Sequence, residues 1–332
     1  MEQIINAGIV GLGHLGSIHC RLLKEISTEN PRIQFNGVFD IDGQKNNSIS
    51  KEYNVKAYPS FEDLIANINT LVIVTPTTTH FEIANLAIEK NINLFIEKPV
   101  TGSLDEALSL LNKKKNLKIQ IGHVERFNPA FMGLKDFELK PLFIESHRLA
   151  QFNPRGTDVS VVQDLMIHDI DIILSIVKSP VTGINANGVA ILSNDVDIAN
   201  ARMQFENGCT ANITASRISL KKMRKMRIFQ KNAYISIDFL NNKSEVFRLV
   251  DKASVKPESI TIPVSDDKCI VLDQPNDNNS KKTYNPIKNE LESFFNSILN
   301  NSPLKVTLEE GKQALEVADK ISKIIQSNNK NI

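Results

Sequence analysis

Residues 8–16 read Gly-Ile-Val-Gly-Leu-Gly-His-Leu-Gly, and this stretch decides the fold. An apolar run precedes it, and residues 15–26 carry apolar side chains at the spacing of a helix. The pattern predicts a strand, a glycine turn and a helix in succession. Repeated along a chain, such units build an α/β fold with a parallel sheet and right-handed crossovers.

Three glycines of this stretch have the Gly-x-Gly-x-x-Gly spacing of a dinucleotide-binding turn. In such a turn the first glycine permits a tight bend, the second lets the backbone approach a pyrophosphate, and the third lets the helix pack on the strand. The start of the helix offers N–H groups to the phosphates. The candidate cofactor-binding residues of the turn are Gly11, Leu12, Gly13, His14, Leu15 and Gly16.

A second predicted strand, residues 34–40, ends in Asp40. A carboxylate at this distance from the glycines is typical of the group that binds the adenosine ribose diol. Because a carboxylate repels the 2′-phosphate of NADP, Asp40 favours NAD. Asp42 competes for the same role, and a loop or helix-capping role for Asp40 is the structural alternative.

Composition limits the class of protein. The 332 residues exceed one ordinary domain, so we expect two. With 41% hydrophobic and 23% charged residues, the composition is typical of a globular protein. The net charge of +1 favours binding to neither nucleic acid nor an anionic membrane. We expect no membrane span and no signal peptide. Three scattered cysteines argue against a disulfide framework or a thiolate metal site, so a cytoplasmic protein is expected.

Two more apolar strands of the first half end in polar residues. Residues 71–74 lead into Thr75-Pro76-Thr77-Thr78-Thr79-His80, and residues 93–96 lead into Glu97-Lys98-Pro99. Open α/β sheets bind ligands at the carboxyl ends of strands, so the first loop is a candidate cofactor contact. His80 fits better as a cap of the next helix. An ammonium at the end of a buried strand costs free energy unless it is paired or used, and the Lys98–Pro99 bond is a candidate for the cis form.

Residues 161–174 of the second half are strongly apolar yet hold four ionisable side chains. Asp164, His168 and Asp171 are spaced i, i+4 and i+7, so an α-helix places them on one face. An imidazole beside a carboxylate is typical of proton transfer, because the carboxylate fixes the tautomer of the ring. A metal ion held by the three side chains is the alternative.

After Pro180 the apolar pattern changes to the period of two that is typical of strands. It predicts an antiparallel or mixed sheet with one face covered by the His168 helix. Residues 254–280 predict a loop with one strand, and Thr307-x-x-Glu310 predicts a capping box that opens a last helix. The basic residues 221–227 lack interleaved aromatics, which favours a solvated face or a diphosphate contact over nucleic acid.

Four of these motifs occur in the order found in the Gfo/Idh/MocA family of oxidoreductases: the glycine turn, the Thr75–His80 loop, Glu97-Lys98-Pro99 and Asp164-x-x-x-His168. The chain resembles this family over nearly its whole length. The resemblance implies an NAD-dependent enzyme. Its N-terminal Rossmann domain, a doubly wound parallel sheet, is expected at 1–123. A C-terminal α+β domain with an open, mainly antiparallel sheet is expected at 124–332, with the last helices packing back toward the first domain.

The same resemblance implies roles for residues. It places Lys98 beside the nicotinamide and the reacting hydroxyl. It makes His168 the catalytic base and Asp164 its companion. Whether Lys98 or His168 is formally the base stays open. The open sheet face packs against another subunit, in a homodimer or homotetramer. The implied cofactor-binding residues outside the glycine turn are Asp40, Thr75, Pro76, Thr78, His80, Glu97 and Lys98.

Residues 122–130 are similar to the branch of the family that includes UDP-N-acetylglucosamine 3-dehydrogenases, which oxidise a ring hydroxyl of a nucleotide sugar. Arg126 matches the arginine that is usual there. His123 and Glu125 fit a substrate role and an interdomain hydrogen-bond network equally well. Arg155, in a polar loop, either grips a phosphate or is solvated. The candidate substrate-binding residues are Lys98, Arg126, Asn128, Arg155, Asp164 and His168.

Three functions agree with these residues. The first is NAD-dependent oxidation of a sugar ring hydroxyl, with C3 of UDP-N-acetylglucosamine as the candidate. The second is oxidation of a free sugar or cyclitol, or reduction of an unrelated double bond. The third is a non-catalytic dinucleotide-binding regulatory protein, which would have no need of Lys98, Asp164 and His168. The sequence leaves the sugar, the carbon, the direction and the subunit number open.

Overall fold

In the computed structural model of the chain, residues 3–153, 159–275 and 284–330 are described. The chain divides into two compact units. The first comprises Met1–Phe127 and Asn285–Leu315, and the second comprises Asn128–Tyr284 and Glu316–Ile332. The chain therefore returns to the first unit after completing most of the second.

The first unit is built on a five-stranded parallel sheet in the order β2-β1-β3-β4-β5. Its strands are β1 (Ile5–Val10), β2 (Ile33–Phe39), β3 (Thr70–Ile73), β4 (Asn93–Glu97) and β5 (Ile119–Gly122). Its helices before the second unit are α1 (His14–Glu29), α2 (Gly43–Tyr53), α3 (Phe61–Ile65), α4 (His80–Glu89) and α5 (Leu104–Lys113). The strand order reverses between β1 and β3, where ligands bind in such sheets.

Both faces of this sheet are covered, because its central strands are apolar on both sides. Leu71 and Ile73 belong to a hydrophobic cluster with α4, α5 and the region around Leu308. Val72 points to the opposite face and belongs to a second hydrophobic cluster. That second cluster contains α1 and the later helix α8 (Pro286–Leu299), with Phe294 fully buried. The continuous apolar runs of the sequence are thus explained by burial on two faces.

The second unit contains a nine-stranded sheet in the order β13-β14-β12-β11-β10-β6-β9-β8-β7. Its strands are β6 (Phe143–Leu149), β7 (Val181–Val189), β8 (Ile198–Phe205), β9 (Thr210–Ser216), β10 (Met223–Gln230), β11 (Ala233–Asp238), β12 (Lys243–Asp251), β13 (Ile260–Pro263) and β14 (Lys268–Asp273). All neighbours are antiparallel except β6 and β9, so the sheet is mixed, as predicted.

The remaining α-helices of the described ranges are α6 (Pro129–Met132), α7 (Ile167–Val177) and α9 (Leu308–Asn329). Helix α7 packs on β6 and β9, which confirms that the helix of His168 covers one sheet face. Side chains of β8 alternate between buried and exposed, and its exposed residues, Asn200, Arg202 and Gln204, are polar. No helix in the described ranges is both long enough and apolar enough for a bilayer.

The fold class predicted from the sequence is confirmed. The prediction of one strand within 254–280 is wrong, since β13 and β14 pair as an antiparallel hairpin. All four residues of β13 are exposed, so this strand shows no alternation of buried and exposed residues. The capping box at Thr307 is confirmed: the Thr307 N–H donates to Glu310 Oε2 at 2.8 Å and the Glu310 N–H to Thr307 Oγ1 at 3.2 Å.

Candidate active site

The glycine turn joins β1 to α1 and is shaped by backbone crowding. Gly11 has φ +88°, and a Cβ there would lie 2.6 Å from the Val74 carbonyl oxygen. A Cβ on Gly16 would clash with the Gly11 carbonyl oxygen, whereas one on Gly13 would meet no atom within 4 Å. The turn is therefore closed on its inner side and open at Gly13. This open space fits the close approach of a pyrophosphate to the backbone.

The first turn of α1 faces the same space. Its N-cap is Gly13, without a side-chain cap, and its first turn contains no acidic residue. His14 and Leu15 are exposed beside it. Because the first N–H groups of a helix lack intrahelical acceptors, this end of α1 suits a phosphate group.

Asp40 lies at the end of β2, next to the glycine turn. Its Oδ2 accepts from the Leu12 N–H at 2.6 Å and its Oδ1 from the Asp42 N–H at 2.8 Å. Sequence reasoning missed Asn46, whose Oδ1 accepts from the Asp40 N–H at 2.8 Å and whose Nδ2 donates to the Asp40 carbonyl at 2.9 Å. Both the backbone and the carboxylate of Asp40 are thus held in place.

Asp42 has a different task. Its carboxylate accepts from the Gln44 and Lys45 N–H groups and caps α2. These backbone hydrogen bonds lower the pKa of Asp42. Of the two acids, the one that contacts the glycine turn is therefore Asp40.

The loop after β3 is tied together by His80, which is buried. Its Nδ1 lies 2.9 Å from the Pro99 carbonyl oxygen and its Nε2 2.9 Å from that of Thr75. The side chain connects the loops after β3 and β4, and burial lowers its pKa. The side chains of Pro76 and Thr78 are exposed on the same loop. This geometry fits the structural interpretation of His80, and its cofactor contact stays a prediction.

Glu97 and Lys98 lie at the end of β4. Glu97 Oε1 is 2.9 Å from Nε2 of His19, on α1, and Glu97 Oε2 accepts from the Lys98 N–H at 3.2 Å. Lys98 is half-buried, and the Lys98–Pro99 bond is cis, as predicted. Sequence reasoning missed His19; its position three residues after Gly16 was the only available signal.

Arg126 lies in the short turn Val124–Phe127, between the buried His123 and Phe127. Its Nη2 donates to Glu310 Oε1 at 3.3 Å, and Glu310 also closes the capping box of α9. The guanidinium is mostly buried, with its side chain 12% exposed. Its substrate contact stays a prediction.

In the second unit, the helix of His168 does not begin as an α-helix. A π-helical turn, Val162–Met166, precedes α7 and contains Asp164. A π turn contains more residues than an α turn, so the expected i, i+4 alignment of Asp164 with His168 does not follow from α-helical spacing. Both side chains are half-buried, and Asp171 is buried. Such turns occur frequently at functional sites.

A buried ion pair that sequence reasoning missed anchors α7. Arg148 on β6 donates to Asp169 through Nε at 2.8 Å and Nη2 at 3.2 Å, and both side chains are 3% exposed. This two-pronged contact fixes the helix beside His168 to the sheet. Within the described ranges, no group of three or more His, Cys, Asp or Glu side chains could hold a metal ion.

Two candidate substrate residues remain. Asn128 is buried; its Nδ2 donates to the Phe239 carbonyl at 3.0 Å, and its Oδ1 accepts from the Ala130 N–H at 3.0 Å, which caps α6. These bonds give Asn128 a structural task, and its substrate contact stays a prediction. Arg155 lies outside the described residues.

Comparisons with known proteins agree with this geometry. Residues 5–123 match the oxidoreductase family with an NAD-binding Rossmann fold, GFO_IDH_MocA, and residues 140–236 match the GFO/IDH/MocA C-terminal domain. The chain belongs to the Gfo/Idh/MocA family of oxidoreductases. The predicted resemblance, the NAD cofactor and the dehydrogenase class are thereby confirmed.

Among its relatives is the UDP-N-acetylglucosamine 3-dehydrogenase of Acidithiobacillus ferrooxidans, which is 37% identical over 246 residues, 73% of this chain and 77% of the relative. A solved structure of that organism's enzyme, GnnA, has a TM-score of 0.84, 31% identity and 98% coverage of both chains. The scyllo-inositol 2-dehydrogenase (NAD(+)) of Bacillus subtilis is 29% identical over 66% of this chain and 69% of the relative.

Proposed function

We propose that the protein is an NAD-dependent dehydrogenase of a nucleotide sugar, and that it oxidises C3 of UDP-N-acetylglucosamine. The observation that carries this proposal is the likeness to UDP-N-acetylglucosamine 3-dehydrogenase, at 37% identity and, for the solved structure, a TM-score of 0.84 over 98% of both chains. The presence of Lys98, Asp164 and His168 supports an active enzyme.

The glycine turn and Asp40 form the proposed cofactor site. The N–H groups at the start of α1 bind the pyrophosphate, and the Asp40 carboxylate binds the ribose diol. A carboxylate has about four lone-pair positions. Since the two backbone bonds to Asp40 use only part of this capacity, its oxygens still have room to accept from the ribose hydroxyls.

The proposed reaction removes a hydride and a proton from a carbinol. NAD, when bound, supplies the nicotinamide that takes the hydride. His168 accepts the hydroxyl proton and Asp164 orients its imidazole. The Lys98 ammonium stabilises negative charge as it develops on the substrate oxygen. Arg126, Asn128 and Arg155 bind the rest of the substrate, with the guanidinium groups suited to its diphosphate.

We also propose that the chain assembles as a homodimer or homotetramer through the open face of its nine-stranded sheet. Four aromatic side chains, Phe143, Phe229, Tyr234 and Phe247, lie side by side on β6, β10, β11 and β12, with ring centroids 5.9, 5.1 and 5.4 Å apart. Phe229 is 38% exposed. Exposed apolar surface of this kind commonly marks a protein interface.

A cytoplasmic location is part of the proposal. Cys20, Cys209 and Cys269 are free and buried. Burial, with a smaller effect of Glu52, raises the pKa of the Cys20 thiol to about 12, and burial raises that of Cys209 to about 11. Protonated, unpaired thiols agree with a reducing compartment.

The deciding experiment is a substrate panel with NAD, followed through the absorbance of NADH. Turnover confined to UDP-linked amino sugars supports the proposal. Turnover of free polyols supports cyclitol oxidation, the second candidate, which the 29% identity to scyllo-inositol 2-dehydrogenase favours. NADH binding without turnover of any panel member contradicts both and supports a regulatory protein.

A further inference from the structure

We propose that His19 is a positioning residue for Lys98 and acts through the carboxylate of Glu97. The inference rests on the proposed role of Lys98 in the reaction. It concerns a buried polar side chain to which the reaction described above assigns no task.

His19 lies on α1 and is fully buried. Its Nε2 is 2.9 Å from Glu97 Oε1, and its ring packs against Phe95 with centroids 5.6 Å apart. A carboxylate accepts hydrogen bonds, so Nε2 carries the hydrogen. Nδ1 is buried and has no hydrogen-bond partner among the described residues. Since an unsatisfied buried polar atom costs free energy, histidine is a poor choice for packing alone.

The Glu97 carboxylate occupies a narrow place at the end of β4. One oxygen faces His19 and the other accepts from the Lys98 N–H at 3.2 Å. On the neighbouring strand, a Cβ at Gly122 would lie only 2.9 Å from Glu97 Oε2. The side chain of Glu97 is 13% exposed. It is therefore held from two sides, and His19 is the side chain that holds it.

This contact connects two parts of the cofactor domain. Helix α1 begins at the glycine turn, and β4 ends at Glu97, directly before Lys98. The bond between His19 and Glu97 thus links the proposed pyrophosphate helix to the proposed catalytic lysine. Without it, the Glu97 carboxylate is released and competes for the Lys98 ammonium. A lysine drawn toward Glu97 is less able to stabilise charge on the substrate oxygen.

Two variants separate this role from packing. His19→Gln keeps an N–H donor for Glu97, whereas His19→Leu fills the space next to Phe95 without a donor. Leu22→Ala serves as the control, because Leu22 is buried on the same helix and is apolar. For each protein we would measure kcat, the Kd for NADH, the Tm, and the rate at which acetic anhydride acetylates Lys98, read by peptide mass spectrometry.

We expect His19→Leu to lower kcat at least tenfold and the rate of Lys98 acetylation at least threefold. The Kd for NADH should change less than threefold. His19→Gln restores both rates to within threefold of wild type, and Leu22→Ala lowers Tm without slowing acetylation. Wild-type acetylation in His19→Leu, or equal losses in both His19 variants, would overturn the inference. A wild-type enzyme inactive on nucleotide sugars contradicts the proposed function instead, and the acetylation rates still decide the role of His19.

Discussion

The carboxylate of Asp40 accepts a hydrogen bond from the backbone N–H of Leu12 at 2.6 Å. The residue expected to bind the ribose therefore also holds the glycine turn, which is expected to bind the pyrophosphate. Asn46 fixes the backbone of Asp40 from the other side. One side chain thus sets the spacing between two parts of the proposed cofactor site.

Replacement of Asp40 by Ala should raise the KM for NAD at least tenfold, because both the ribose acceptor and the support of the turn are lost. A tenfold loss corresponds to about 1.4 kcal/mol of binding free energy. The measurement is initial-rate kinetics with varied NAD.

Asp42→Ala is the matched control. It removes the cap of α2 and should lower the free energy of unfolding by about 1 kcal/mol without changing the KM for NAD. A raised KM in Asp42→Ala, with none in Asp40→Ala, would assign the ribose to Asp42.

Lys98→Ala should keep the affinity for NADH within a few fold and abolish turnover, because the ammonium is needed for the chemical step rather than for holding the dinucleotide. NADH fluorescence titration and steady-state rates measure the two quantities separately. Normal turnover in this variant would remove the lysine from the chemistry.

His168→Ala should lower kcat by about 10²–10⁴-fold, the usual contribution of a general base. A protonated imidazole cannot accept the hydroxyl proton, so wild-type kcat/KM should decrease toward acid pH and the variant should lack this decrease. The pH profile of kcat/KM is the measurement. If the acid limb persists in His168→Ala and is lost in Lys98→Ala, the lysine is the base.

Charge on the aromatic row should disrupt the assembly. Phe229→Asp and Tyr234→Asp place carboxylates on the open sheet face, and each should yield monomers, since burying an unpaired charge in an interface is costly. Sedimentation velocity of both variants and wild type provides the test. Leu86→Asp, at an exposed apolar position of α4 outside this sheet, is the control for a new surface charge. A monomeric wild-type protein would refute this assembly.

Asp197 should contribute to acid stability. Burial alone would raise its pKa, but hydrogen bonds from the Ile191, Leu192 and Ser193 N–H groups and the Ser193 hydroxyl lower it to about 2. A folded-state pKa below the ordinary value stabilises the protein above that value, about 3.9, and this contribution is lost as pH falls toward the folded pKa.

The variant Asp197→Asn should therefore be less stable than wild type at neutral pH, and the difference should shrink as pH falls from about 4 to about 2. Urea denaturation at a series of pH values measures it. A difference independent of pH would assign the loss to altered packing or hydrogen bonding of the Asn side chain rather than to ionisation of the carboxylate.

Local patterns were enough to predict much of this protein. The glycine turn, the apolar strands of the first sheet and the Thr307 capping box depend on residues close together in the chain, so their spacing carries the information. Only one of the two strands of the β13–β14 hairpin was predicted. Strand β13 is stabilised by backbone pairing and all four of its residues are exposed, so burial imposes no pattern on its sequence.

Other features depend on folding. His19 and Glu97 are 78 residues apart in the chain, and Arg148 and Asp169 are 21 apart. The π-helical turn at Asp164 differs from an α-helix in its backbone hydrogen bonds, which the side-chain pattern did not indicate. Residue order thus predicted candidate side chains for the chemistry. Long-range packing alone decided their neighbours, because burial brings together groups that no local spacing relates.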